Sequence, residues 1–462
     1  MRRPQGETGM GPMLCNLAGW IRAVCSPRVV CLSFVLLFAA RISSAYSVLT
    51  HEEIVDLLWK DRIEPLLKKR FPNSTEEDLR KAHAYAYGGC LIQDMGYYPF
   101  GNKHFSDLLH YVRSGDFIMN IIHESSDLNE FAFALGALSH YSADNSGHPT
   151  INRVVTMEFP KLRKKFGQSA TYADDPKAHI RTEFGFDMVQ VAKNRYTSDR
   201  YHDFIGFKVS KELLERAFLK TYGLKLDDVF GDPDLAIGTY RRAVSLVIPE
   251  MTRVALLERK QAIVADTPNF NKKKFLYYLS RKSYEKEWGT TYRKPGVGAR
   301  ILAFFLRIIP KVGPFSALAF KIPTQQSEDM YIKSVNLTVE DYNKRLLDTR
   351  VQDLKLPNKD CDTGKDTRAG EYSLTDKAYE RLLKKLADKN FENLTPALQE
   401  NIIDFYGDLK APIWTKRDED AWIHTLANLE LLRVATPGIT EQPVKTTQGG
   451  IEPVSGPGEN LP

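Results

Sequence analysis

The sequence predicts an all-α protein, a multi-helix domain followed by a mostly helical C-terminal region and a disordered tail. Three observations predict it. Apolar residues recur at helical spacing from residue 46 to about 435, and few stretches alternate as strands would. Thr, Asp, Pro and Gly punctuate the pattern where helix caps and turns need them. Histidine stands four residues before a carboxylate twice, at His140–Asp144 and His179–Glu183, which puts each pair on one helical face.

The chain of 462 residues suggests two or three domains, and 43% hydrophobic with 26% charged residues is the composition of a packed globular protein. A net charge of +6 is too weak and diffuse to imply a nucleic-acid partner. Residues 1–45 read as a secretory signal with a long basic n-region, in which Met13 is an alternative start. Arg22 and Arg28 precede the apolar run Val29–Ala40, and Ser43-Ser44-Ala45 offers small residues for a peptidase. The run is short for a membrane anchor. Cleavage after Ala45 would make Tyr46 the mature N-terminus, place the protein outside the cytoplasm and leave Cys90 and Cys361 as the only cysteines. One disulfide between them is open to an oxidising compartment.

The elements follow in order. Thr50 reads as the N-cap of a helix opening at His51, with Ile54, Leu57, Leu58, Ile63, Leu66 and Leu67 as its stripe. Pro72-Asn73-Ser74 is a turn. A second helix starts near Thr75, with Glu77 and Asp78 in its first turn, and runs to Gly88-Gly89. Asp94 lies in a loop rich in aromatic residues, and a helix carrying His110 comes next. The apolar helix from Phe131 breaks near its end, where Asn145-Ser146-Gly147 are loop signals before His148. Helices are predicted over Val154–Phe166, Pro176–Lys193, Lys211–Tyr222 and Pro233–Lys260.

Past 272 the organisation changes. Gly298–Pro323 is apolar but interrupted by Arg307, Pro310, Lys311, Gly313 and Pro314, which does not suit a spanning helix. It fits either a membrane-facing segment or a buried helical hairpin. Leu337–Arg350, Leu374–Asn390, Thr395–Tyr406 and Ala421–Val434 are further helices. The division expected is a signal over 1–45, a catalytic domain over 46–270, a C-terminal helical region over 271–435 and a disordered tail over 436–462.

Of ten histidines, His51, His110, His140, His148 and His179 stand beside a carboxylate at helical spacing, at a helix start or in a loop. His83, His104, His123, His202 and His424 lack such company and read as ordinary. An imidazole and a carboxylate among apolar neighbours need a partner. For one HxxxD alone, a hydrogen-bonded His–Asp pair explains it. Two such pairs in one all-α region point to a divalent metal, for which neutral imidazole and carboxylate are zinc ligands.

With these residues placed, the chain resembles the zinc-dependent phospholipase C family, whose relatives include single-strand-specific nucleases. The resemblance covers roughly Tyr46 to Lys260. Its motifs are Tyr46 with His51, then Asp94 and His110, then His140, Asp144 and His148, then His179 with Glu183. A closer likeness is to the catalytic domain of glycosylphosphatidylinositol-specific phospholipase D, through Ser47–His51, Asp94–Pro99, Gly136–His148 and Ala178–Gly185. That enzyme continues into a β-propeller, which is not expected within these 462 residues.

The resemblance implies three zinc ions. One would take Asp94, His110, His140 and Asp144. A second would take His148, His179 and Glu183, and a third Tyr46 through its amine and carbonyl, His51 and the other oxygen of Asp144. It implies a phosphodiesterase acting on phospholipids, with metal-activated hydroxide attacking phosphorus and Asp94 orienting it or taking its proton. Tyr97, Tyr98, Phe100 and Phe105 would line the substrate slot or simply pack the core. A nuclease or nucleotidase, phospholipase D-type cleavage, and a non-catalytic zinc-binding protein are the alternatives. Peripheral membrane contact is expected through Gly298–Pro323.

Overall fold

A computed structural model describes residues 46–193, 196, 206–249, 251, 252, 255, 319–347 and 351–438. The signal segment, most of Gly298–Pro323 and the tail from 439 lie outside the described residues. Among those described, the chain is all-α apart from one two-residue antiparallel hairpin, β1 (Lys359–Asp360) with β2 (Lys365–Asp366).

Helix α1 (Val48–Leu58) passes through a π-helical turn (Trp59–Ile63) into α2 (Glu64–Arg70). The N-cap of α1 is Ser47 rather than Thr50. Thr50 is one turn inside, where its hydroxyl donates to Asp187 Oδ1 at 2.5 Å, so a tertiary partner takes the group that would have capped. Helix α3 (Glu76–Gly89), by contrast, starts where the sequence predicts, and there Thr75 and Asp78 form a capping box. A 3-10 turn (Ile92–Tyr97), α4 (Lys103–Tyr111) and α5 (Ser114–Glu124) follow.

Helix α6 spans 31 residues, Leu128–Glu158, and is the axis of the fold. It runs straight through Asn145–Gly147, where the sequence predicts a loop. Local preference yields here to packing. Asn145 Nδ2 donates back to Tyr141 O at 2.8 Å. Gly147 lies under the Tyr46 ring, where a Cβ would come within 2.6 Å of Cζ. His140, Asp144 and His148 therefore descend one face at successive turns. Only at Phe159, before Pro160, does the helix stop and α7 (Pro160–Phe166) begin.

Around this axis lie α8 (Pro176–Ala192), α9 (Lys211–Tyr222), α10 (Pro233–Arg242), α11 (Gln325–Leu347), α12 (Ser373–Asp388), α13 (Pro396–Phe405) and α14 (Glu419–Val434). The tightest crossing is α3 on α6. A Cβ on Gly89 would lie 1.9 Å from Phe133 O, and one on Gly136 2.1 Å from Ala86 O, so only glycine admits this approach. Helix α11 packs on the other side of α6, and its Tyr342 hydroxyl donates to Leu135 O at 2.9 Å. No helix among the described residues is long and apolar enough to cross a membrane.

Candidate metal centre

The site forms where α1, the 3-10 turn, α4, α6 and α8 converge, and its side chains are almost wholly buried. Asp144 stands at its middle. Its Oδ2 is 3.2 Å from the Nε2 atoms of both His110 and His140 and 3.8 Å from Nε2 of His148. Its Oδ1 faces Nε2 of His51 at 3.7 Å. Asp94 Oδ1 approaches His110 Nε2 at 3.5 Å. With the rings neutral and their Nε2 lone pairs inward, neither carboxylate oxygen of Asp144 has a donor.

The imidazoles are held from behind. Nδ1 of His140 bonds Cys90 O at 2.8 Å, and Nδ1 of His110 bonds Ser106 O at 2.7 Å. A carbonyl only accepts, so both Nδ1 atoms carry hydrogen and both Nε2 lone pairs point inward when the rings are neutral. Those two Nε2 atoms are 3.4 Å apart. His51 stacks on His140 with ring centroids 4.3 Å apart. Two lone pairs and two carboxylates aimed at one dry point require positive charge there.

The titration shifts report the same requirement. Burial by itself would lower His110, but Asp144, Asp94 and Asp362 outweigh it and raise it to about 9. Burial would raise Asp144, yet His140, His110 and His148 hold it well below the usual carboxylate range. Burial drives His51 and His179 well below the ordinary imidazole value and Glu183 well above the ordinary carboxylate value.

Two groups of ligand atoms lie within 4.8 Å of one another among the described residues: His51, His140 and Asp144, and Asp94, His110 and His140. His140 belongs to both, whereas the resemblance assigns it to one ion. His148, His179 and Glu183 lie beside this centre, with the His148 and His179 rings 5.3 Å apart. His179 is engaged on both nitrogens, Nδ1 with Glu183 Oε1 at 2.7 Å and Nε2 with Asn152 Oδ1 at 2.8 Å. The Tyr46 side chain is buried against α11, its hydroxyl donating to Ser334 Oγ at 2.8 Å.

Of the aromatic residues, Tyr97 lies 6.1 Å from the His110 ring and Tyr98 packs edge-on against Tyr240. Phe100 is 52% exposed. Phe105 stands in the core between Phe218 and Phe230, with no surface left for a substrate. Cys90 and Cys361 are buried thiols that do not pair.

Three buried residues escaped the sequence reading. Asp187 accepts the Leu49 N–H at 3.0 Å and the Thr50 hydroxyl, fixing the start of α1 and so His51. Asn152 links His179 to the backbone carbonyl of Asp362, to which its Nδ2 donates at 2.8 Å. Asp362 itself faces His148. Asp187 and Asn152 each fall four residues past a named ligand, a spacing that could have found them; Asp362 carries no local signal.

The donor set is all nitrogen and oxygen, as zinc accepts in catalytic sites. Residues 50–230 match the protein family described as zinc dependent phospholipase C. No curated protein and no solved structure matches the chain.

Proposed function

We propose that the chain, whose residues 50–230 match the zinc-dependent phospholipase C family, is a secreted zinc phosphodiesterase that hydrolyses phospholipids by phospholipase C-type cleavage. The observation that carries the reading is Asp144, a fully buried carboxylate with the Nε2 atoms of four imidazoles within 3.8 Å of its oxygens. A cation satisfies that arrangement, and His51, Asp94, His110, His140 and Asp144 would hold it.

Zinc bound here would act as a Lewis acid toward the phosphoryl oxygens and bring the pKa of water to about 7. The protein's own part is orientation and charge. Cys90 O and Ser106 O lock the two imidazoles with Nε2 inward. Asp94, beside His110, is the carboxylate placed to orient a water or take its proton. Burial excludes bulk solvent, which strengthens each of these interactions. The reading extends to three ions, with His148, His179 and Glu183 as the second set and Tyr46 with His51 as the third, and to signal cleavage after Ala45.

The test is protein beginning at Tyr46, loaded with zinc, assayed on phospholipid vesicles and on single-stranded nucleic acid. Release of phosphorylated head group is expected. Zinc-loaded protein that cleaves nucleic acid and leaves every phospholipid intact would overturn the lipid reading.

A further inference from the structure

We propose that Asp362, carried by the β1–β2 hairpin far from the family-matched segment, is a positioning residue that orients His148 toward the metal centre. The role rests on the zinc reading above. Asp362 and His148 are both about 1% exposed, and Asp362 Oδ1 lies 3.3 Å from His148 Nδ1, an ion-pair contact outside hydrogen-bond geometry. The opposite nitrogen, Nε2, is the one that faces Asp144. A carboxylate behind one ring nitrogen, with the other turned to the cation, is the arrangement that fixes tautomer and ring plane in histidine ligands.

The carboxylate is itself held. Its Oδ2 accepts the hydroxyl of Tyr111, on α4, at 2.9 Å, and the hydroxyl of Tyr372. Its backbone carbonyl accepts Asn152 Nδ2, which in turn engages His179. One residue earlier, the Cys361 N–H donates to His110 O at 3.1 Å. The turn sits tight on α6, since a Cβ on Gly364 would come within 2.6 Å of Asn145 O. A single short hairpin thus touches the neighbourhoods of His110, His148 and His179. Asp360 is its internal comparison. It is equally buried, but its carboxylate bonds Thr375 and the hairpin's own backbone, with no histidine contact.

The experiment measures Zn²⁺ affinity of the full mature chain by chelator competition, and the Co²⁺ absorption spectrum, for wild type, Asp362→Asn and Asp360→Asn. Asp362→Asn is expected to weaken zinc about 10–100-fold and to shift the Co²⁺ bands. Asp360→Asn, which leaves the Asp362 carboxylate and its contact with His148 in place, should leave both within about threefold of wild type. Wild-type affinity in Asp362→Asn, or equal weakening in Asp360→Asn, overturns the proposal. Should Asp362→Asn fail to fold, Tyr372→Phe loosens the same carboxylate by one hydrogen bond. Several-fold weaker zinc would then support the role, and unchanged zinc would overturn it. Wild-type protein that binds no zinc at all would instead fail the reading beneath it, an outcome that needs no variant to recognise.

Discussion

Gly136→Ala isolates the link between helix packing and the metal centre. On an exposed helix this change stabilises by about 1 kcal/mol, because alanine is the better helix former. Here the new Cβ would lie 2.1 Å from Ala86 O and 2.9 Å from Cys90 N. Such contacts essentially never fall below 3.0 Å, so α3 and α6 must part by about 0.9 Å. Overpacking of this kind costs about 1–3 kcal/mol, which at about 2–4 °C per kcal/mol for a domain this size lowers Tm by about 2–12 °C. The displaced backbone is also the one that holds the site, because Cys90 O anchors His140 Nδ1. A misplacement near 1 Å can reduce turnover about 10²-fold. Thermal unfolding with and without zinc, zinc per chain by elemental analysis and turnover on vesicles read the three effects. Gly238→Ala on α10, where a Cβ meets nothing within 4 Å, is the matched control and should raise Tm slightly. If Gly136→Ala behaved like Gly238→Ala, with full zinc content, the packing argument would be refuted.

Further outcomes follow from the same geometry. Asp144→Asn removes charge from a carboxylate facing four imidazoles, and should weaken zinc by more than the 10–100-fold typical of an outer contact; full metal content by elemental analysis would contradict that. Because carboxylates raise His110 to about 9, a dication has to displace its proton. Apparent zinc affinity should then climb about tenfold per pH unit between pH 6 and 8, and a flat profile in chelator competition would show that no proton is released. His104, buried, is lowered to about 3 by burial, Arg381, Lys385 and Lys103. Its folded value lies below the unfolded 6.5, so the unfolded chain binds the proton first and stability is lost as pH falls from 6.5 toward 3. At pH 5 that loss is about 2 kcal/mol, and His104→Gln should remove it. Urea unfolding at pH 5 and 7 checks the difference, and equal slopes for the two proteins would count against it.

How much of this was legible in the sequence depends on the range of each interaction. The all-α class, the helix start near Thr75 and the His140–Asp144 and His179–Glu183 pairs are local, with period and spacing as their whole content. The Asn145-Ser146-Gly147 signal misled because it too is local. Nothing nearby in sequence announces that Tyr46 will lie over Gly147 or that the residue 364 turn will press on Asn145. Thr50 was misread for the same reason, since its partners Asp187 and Tyr331 lie far along the chain. Phe105 could not be told from a slot-lining aromatic until Phe218 and Phe230 were beside it. Asp362 is the extreme case, a lone carboxylate in a polar turn whose meaning comes only from Tyr111, Tyr372 and His148.

The docking of α11 bears on how the protein should be cut for expression. Tyr46 and Thr50 find their hydroxyl partners on α11, at Ser334 and Tyr331, and Tyr141 finds its acceptor at Pro357 O. A fragment ending with the recognised segment at 230 would therefore strip one flank of α6 to water and remove the partners of the Tyr46, Tyr111 and Tyr141 hydroxyls. Similarity of sequence marks where an ancestry is shared, whereas the contacts that cover α6 and the metal centre reach at least as far as Tyr372.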